Sequence, residues 1–151
     1  MRPRAGMLGN MAFDHNGLLI LERDECLMRL ARATVGRVGV SSGALPLVLP
    51  VNFLLDDDRI LIRTGRGTKL SAALEETVVC FEVDEIDPLR HTGWSVVVTG
   101  VSRVVSDTEQ LRRIDTAPLA HWAPADGHVI AVSTDLVSGR ELIGEARARA
   151  M

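Results

Sequence analysis

The stretch from Trp94 to Val105, Trp-Ser-Val-Val-Val-Thr-Gly-Val-Ser-Arg-Val-Val, constrains the fold more than any other part of the chain. β-Branched residues dominate it, and these pack well on a pleated strand while losing side-chain freedom in a helix. Side chains alternate along a strand, so Trp94, Val96 and Val98 share one face while Ser95 and Val97 take the other. A run apolar on both faces calls for burial on both, one toward a barrel interior and one toward a second subunit.

The other predicted elements are short and closely spaced. Glu22 to Ala33 carries the stripe of an amphipathic helix, with Leu27, Leu30 and Ala31 apolar and Arg23, Asp24, Arg29 and Arg32 around them. Val35 to Val40 alternates as a strand does and stops at the turn Ser41-Ser42-Gly43. Leu45 to Leu55 is a second strand, in which Pro46 and Pro50 each remove a ladder donor and so mark an edge or a bulge. Asp56-Asp57-Asp58 turns the chain into the strand Ile60 to Arg63. A helix from Thr68 to about Glu76, a strand Thr77 to Val83 and an acidic loop Asp84 to Gly93 follow. Beyond the long strand, Asp107 caps a third helix, Pro118 to Gly127 is irregular, and His128 to Val137 is the last strand. Strands at this spacing with few helices predict a mainly β fold, a small antiparallel barrel.

The chain has 151 residues, enough for one domain. Residues 1–16 read as a loose arm, 17–145 as the domain and 146–151 as a tail. A net charge of −3 gives no basic footprint for nucleic acid. The longest apolar run, Leu45 to Leu55, holds Pro46, Pro50 and Asn52 and falls short of the ~20 residues of a spanning helix. The first residues lack the continuous apolar run of a secretory signal, so a cytoplasmic protein with no membrane partner is expected. Cys26 and Cys80 form no metal-ligand motif and fit a reducing compartment.

Most reactive residue types are placed without a chemical partner. Asp56-Asp57-Asp58 reads as a solvated turn, and Asp84, Glu85 and Asp87 as a charged surface. His15, His91, His121 and His128 lack metal-ligand spacing, so no metal is expected. Ser41 and Ser42 lack the setting of a nucleophile elbow, which removes the hydrolase reading. The 17 basic residues comprise 16 arginines and Lys69, and tyrosine is absent. Acid catalysis by tyrosine, or a Schiff base anywhere except Lys69, is therefore excluded.

The segment Arg63-Thr64-Gly65-Arg66-Gly67-Thr68-Lys69 stands apart. A strand ends on Arg63, two glycines turn the chain, and a helix starts near Thr68 with the only lysine in its first turn. A cation there opposes the helix dipole unless an anion is present. Arginine, lysine, hydroxyls and free amides together make a phosphate cradle. The spacing matches neither a Walker loop nor GxGxxG, so on residue chemistry alone the segment is either a phosphate cradle or a plain basic turn.

Four blocks occur in an order that resembles a known family. They are Leu49-Pro50-Val51-Asn52-Phe53, then Ile62-Arg63-Thr64 with Gly67-Thr68-Lys69-Leu70, then Val79-Cys80-Phe81-Glu82-Val83-Asp84, then Thr92 to Gly100. From about Gly17 to Ile143 the chain resembles the pyridoxamine 5′-phosphate oxidase-like proteins, flavin-binding split β-barrels, in their uncharacterised actinobacterial subgroup. The resemblance implies a six-stranded antiparallel split barrel and a homodimer with FMN in a cleft between subunits. It implies that Pro50, Val51 and Asn52 flank the flavin ring and that Arg63, Thr64, Thr68 and Lys69 hold the phosphate. Trp94 and Ser95 would reach the same cleft from the partner chain, and Trp122 would help close it. Pro50 also has the plainer reading of an edge proline, and Trp94 that of a core residue.

The chain departs from the vitamin-converting enzyme in lacking tyrosine and the carboxy-terminal arginine–histidine motif. Ser138-Gly139-Arg140-Glu141-Leu142 resembles instead the closing strand of the uncharacterised subgroup, which has relatives among nitroimidazole reductases. The expected function is a flavin oxidoreductase with a small-molecule electron donor and acceptor that the sequence does not identify. A non-catalytic flavin store or sensor is the second reading. A deazaflavin-dependent reductase is the third, kept open by Arg63, Arg66, Arg90 and Arg103.

Overall fold

The computed structural model describes residues 11–65, 67–115 and 127–144. In chain order these form β1 (Leu19–Leu21), α1 (Arg23–Arg32), β2 (Val35–Ser42), β3 (Leu45–Asp56), β4 (Arg59–Thr64) and α2 (Lys69–Ala73). Then come β5 (Val78–Asp87), β6 (Thr92–Val104), α3 (Thr108–Asp115), β7 (His128–Ser133) and β8 (Leu136–Leu142). The strands lie in the order β1-β8-β6-β5-β2-β3-β4-β7, and β7 returns to pair with β6. That return closes the six strands β2 to β7 into an antiparallel barrel, with β8 and β1 extending the sheet beyond β6.

The length of β6 makes the closure possible. Gly93 to Thr99 pairs with β8, whereas Ser102 to Val104 pairs with β7. The crossing falls at Gly100, where a Cβ would stand 2.0 Å from the Ser133 carbonyl oxygen. Val96 and Val98 point into the barrel and are fully buried, while Val97 is partly exposed on the outer side, as alternation requires. Inside, Phe53 and Phe81 meet edge to face with centroids 4.8 Å apart, a favourable aromatic geometry. Leu30 of α1 and Leu74, just past the end of α2, join this core. Ile114 of α3 packs with Leu61, Val105 and Val129 on the opposite side of the β4–β7 wall.

Local chemistry accounts for the ends of the elements. In α1, Asp24 and Glu25 lie in the first turn and Arg29 and Arg32 in the last, complementing the dipole. Asp107 caps α3 by accepting from the Gln110 amide at 2.9 Å. Thr68 caps α2, its hydroxyl accepting from the Ser71 amide at 3.0 Å. Thr68→Ala should therefore cost about 1 kcal/mol of stability, read as a lower urea midpoint with an unchanged slope.

Several boundaries differ from those expected of the sequence. The β2–β3 turn is Gly43-Ala44, both left-handed with φ 55 and 66, the backbone of a tight hairpin. Helix α2 stops at Ala73, and Glu76 takes φ 45 on the way into β5. The acidic loop from Asp84 is mostly strand: β5 continues to Asp87, whose carboxylate accepts from the amides of Leu89 and Arg90 at 3.0 Å each. The last strand is broken at Thr134 into β7 and β8, because Arg23 donates to Thr134 and Thr134 donates to the Asp58 carbonyl. Strand β1, three residues long, was not expected at all.

The arm expected to be loose as far as Asn16 is structured from Phe13, which bridges to Leu19. Asp14 organises this turn by accepting from the amides of Asn16 and Leu18, and its second oxygen accepts from Arg140 at 3.1 Å. The Leu18 amide bond, foremost, holds the Asp14 carboxyl below its ordinary pKa. A depressed carboxyl adds stability above its unfolded pKa and loses it as pH falls through the folded one. The Tm advantage of the parent over Asp14→Asn should therefore shrink as pH is lowered from about 6 to about 3.

Candidate functional site

Strands β3 and β4 pair only from Phe53↔Ile62 to Asp56↔Arg59. Before Phe53, β3 has β2 as its neighbour, and after Ile62, β4 has β7. The barrel is thus split where the next register pairs would set Asn52 against Arg63 and Val51 against Thr64. The backbone on one lip is open. The Phe53 amide donates to the Thr34 carbonyl on the β2 side, so by alternation Pro46, Val48, Pro50 and Asn52 turn their backbone toward the opening. Both prolines fall on this outward set, so β3 loses no ladder donor and its edge is blunted. The edge-strand reading of Pro46 and Pro50 is what the structure shows.

The other lip carries the basic segment. Thr64 points into the barrel with Ile60 and Ile62, is 2% exposed, and its buried hydroxyl has no hydrogen-bond partner. An orphaned hydroxyl of this kind costs about 1–3 kcal/mol. Arg63, one residue earlier, lies on the opposite face of β4 with Leu61, so the two side chains do not converge as a pair on a single face. The Thr68 hydroxyl is committed twice, to the Ser71 amide and to the Gly65 carbonyl at 3.0 Å. Lys69 opens α2, is exposed, and makes no ion pair among the described residues. Arg66 and Trp122 lie outside the described residues.

Trp94 and Ser95 are not at this split within one chain. Ser95 pairs with Asp84 and Arg140, and Trp94 with Glu85 and Glu141. Strands β2 and β5 intervene between them and β3, three strand spacings or about 14 Å across the sheet. The Trp94 indole lies under the Arg29 guanidinium, 5.2 Å from the ring centroid. Arg29 is itself held by Glu25 and Glu141, both at 2.8 Å. This stack fixes the indole in orientation, and the sequence signals it only through Arg29 and Glu25 at helical i, i+4 spacing.

The outer sheet face is apolar with one charged cluster. Val48, Val78, Val101 and Leu136 are exposed there, and Arg37 reaches Glu82 at 3.1 Å and Asp84 at 3.5 Å. Burial, then the neighbouring Asp84 charge, pushes the Glu82 carboxyl up. Cys80 rests over Gly39, where a Cβ would lie 2.4 Å from its sulfur. It is exposed, whereas Cys26 is buried. Among the described residues no three His, Cys, Asp or Glu side chains are placed to hold a metal ion, and no helix is long and apolar enough to cross a membrane.

A closed six-stranded antiparallel barrel, split between β3 and β4 and flanked by short helices, defines the split-barrel architecture anticipated from the four blocks. The family described as pyridoxamine 5′-phosphate oxidase matches residues 22–141, and this chain belongs to it. An uncharacterized protein of Mycobacterium tuberculosis is 40% identical over 133 residues, covering 84% of this chain and 87% of its own. A solved structure described as the FAD binding protein from Mycobacterium smegmatis is 32% identical with TM-score 0.71, covering 82% of this chain and 96% of that one. A conserved protein of unknown function from Corynebacterium diphtheriae is 36% identical with TM-score 0.71, covering 83% and 98%.

Proposed function

We propose that this protein binds a flavin at the split between β3 and β4, with FMN as the cofactor. The observation that carries the reading is the split itself, an open strand edge facing a buried, unpartnered Thr64 hydroxyl. The backbone of Pro50 and Asn52 faces one lip, where the Asn52 amide can donate and both carbonyls can accept, and Val51 lies between them with its backbone turned to β2. The Thr64 hydroxyl and the Lys69 ammonium are the donors for the phosphate, with Arg63 behind them and Thr68 holding the helix that presents Lys69. A bound flavin supplies hydride or electron transfer, and the protein's part is to bind it, orient it and exclude water. The Mycobacterium smegmatis relative, described as FAD-binding at 32% identity, supports a flavin ligand.

The deazaflavin reading rested on surplus arginine. Of its four arginines Arg66 lies outside the described residues, and Arg63, Arg90 and Arg103 stand on β4, the turn after β5, and β6, so these three make no single basic groove within one chain. Purified protein titrated with FMN, FAD and a deazaflavin cofactor tests the assignment by quenching of cofactor fluorescence. Saturable binding of FMN is expected, and absence of binding for all three overturns the reading. Oxidation of a reductant by the loaded protein then separates an oxidoreductase from a store or sensor.

The site is completed by a second copy of the chain. In that homodimer the outer face around Val97 and Leu136 is covered, and the partner's Trp94 and Ser95 reach the split. Sedimentation should give twice the 16.4 kDa protomer mass, with Tm rising on flavin addition. A 16.4 kDa species that still binds flavin stoichiometrically contradicts the shared site.

A further inference from the structure

We propose that the hollow on the outer face of the β4–β7–β6 wall, beside the start of α3, binds a small zwitterion of the α-amino acid class. It lies away from the split, since Arg59 and Thr64 stand at opposite ends of β4, about 16 Å apart. Its volume is about 390 Å³, and Arg59, Val101, Arg103, Gln110, Ser133 and Asp135 are among the residues that line it. That volume lies at the small end of ligand sites. The strand register accounts for its shape. On β7, Ala131 is flanked by Leu61 on one side and Arg103 on the other, and Ser133 pairs with Arg59. Small side chains thus floor the hollow, and longer ones on the neighbouring strands wall it.

Part of the charge here is already matched. Arg59 pairs with Asp56 at 3.5 Å, and the Gln110 amide oxygen, oriented by its neighbours, accepts from the same guanidinium. Asp107 accepts from the Gln110 backbone amide as the cap of α3. Arg103 and Asp135 remain. Both are exposed and line the hollow, and neither side chain has an ion pair or hydrogen bond among the described residues. Arg103 is in register with Ala131, four residues before Asp135, so the two anchors are separated by one strand spacing and at most about 14 Å of chain. An amino acid with a hydrogen bond at each end fills that gap. A spare cation and a spare anion in one hollow select against simple ions. A dianion meets Asp107 and Asp135 unfavourably, and a lone cation meets Arg103. A carboxylate for Arg103 and an ammonium for Asp135 on one ligand satisfy both, and Val101, 37% exposed, offers an apolar wall to its side chain.

L-Leucine is the probe. Its matched controls are 4-methylpentanoate, which lacks the ammonium, and 3-methylbutylamine, which lacks the carboxylate. Each is titrated into ¹⁵N-labelled full-length protein, and the amides of Arg103, Ser106, Gln110, Ser133 and Asp135 are followed. Saturable shifts with leucine are expected at these groups, and each control should bind about tenfold more weakly for want of one charge-assisted bond. Arg103→Gln and Asp135→Asn, both at exposed positions, should each weaken leucine about tenfold and leave Tm and the folded spectrum unchanged. Crossing ligands with variants gives a readout that a general loss of structure would not produce. Arg103→Gln should bind leucine no better than 3-methylbutylamine, and Asp135→Asn should bind it no better than 4-methylpentanoate. No saturable shift with leucine, either control binding as well as leucine does, or either variant binding leucine as the parent does overturns the site.

Discussion

Phe81→Ala should destabilise the protein by about 3–5 kcal/mol, the usual cost of emptying an aromatic site in a core. In a domain of this size that lowers Tm by roughly ten degrees or more. Phe81 is fully buried, meets Phe53 edge to face, and lies over Gly36, whose absent Cβ would fall 2.3 Å from its Cζ. The pairing gives a sharper measurement than the single variant. Gly36→Ala in the parent drives a methyl into the ring and should itself destabilise. In the Phe81→Ala background the same methyl enters vacated space. The double variant should therefore be less damaged than the sum of the singles, by about 0.5–3 kcal/mol of coupling. Urea unfolding of all four proteins measures it, and strict additivity would mean that the ring does not cover Gly36.

What the sequence made legible was set by local chemistry. β6 could be read because its β-branched run tolerates few other conformations, and α1 because its stripe and end charges agree. Pro46 and Pro50 marked the free edge because a residue without an N–H fits only where no partner strand waits. The second half of β5 was hidden, since Asp84, Glu85 and Asp87 project where the hairpin leaves the core and look like loop residues. The break between β7 and β8 carries no glycine or proline. It is made by Arg23 and Asp58, which are distant in sequence, so no local pattern announces it. β1 is too short to show a period.

The same division runs through the candidate site. The basic segment 63–69 was visible because its residues are consecutive. That Arg63 and Thr64 take opposite faces follows from strand alternation. The split facing them is a matter of register between β3 and β4, which no single segment encodes. Trp94 and Ser95 lie three strand spacings from β3 in their own chain, a distance that no local pattern in either strand announces.

Thr64→Val should move stability and flavin affinity in opposite directions. The substitution preserves shape and removes a buried hydroxyl that has no partner, so the flavin-free protein should gain about 1–3 kcal/mol, the penalty of an unsatisfied buried group. If that hydroxyl is kept to donate to the flavin phosphate, affinity for FMN should fall as the apo protein becomes more stable, the trade expected where function retains a strained or unsatisfied group. Lys69→Ala provides the other half of the argument. Lys69 is exposed and has no ion pair among the described residues, so the flavin-free Tm should scarcely change. Its loss deprives the phosphate of a charge-assisted bond worth about 1.5–3 kcal/mol, which is about ten- to more than a hundredfold in Kd. Isothermal titration with FMN and melts of the flavin-free proteins supply both readouts. Should Lys69→Ala and Arg63→Ala each bind FMN as the parent does, the phosphate sits elsewhere. If Thr64→Val gains stability with no loss of FMN affinity, the hydroxyl is a packing flaw and has no part in the site.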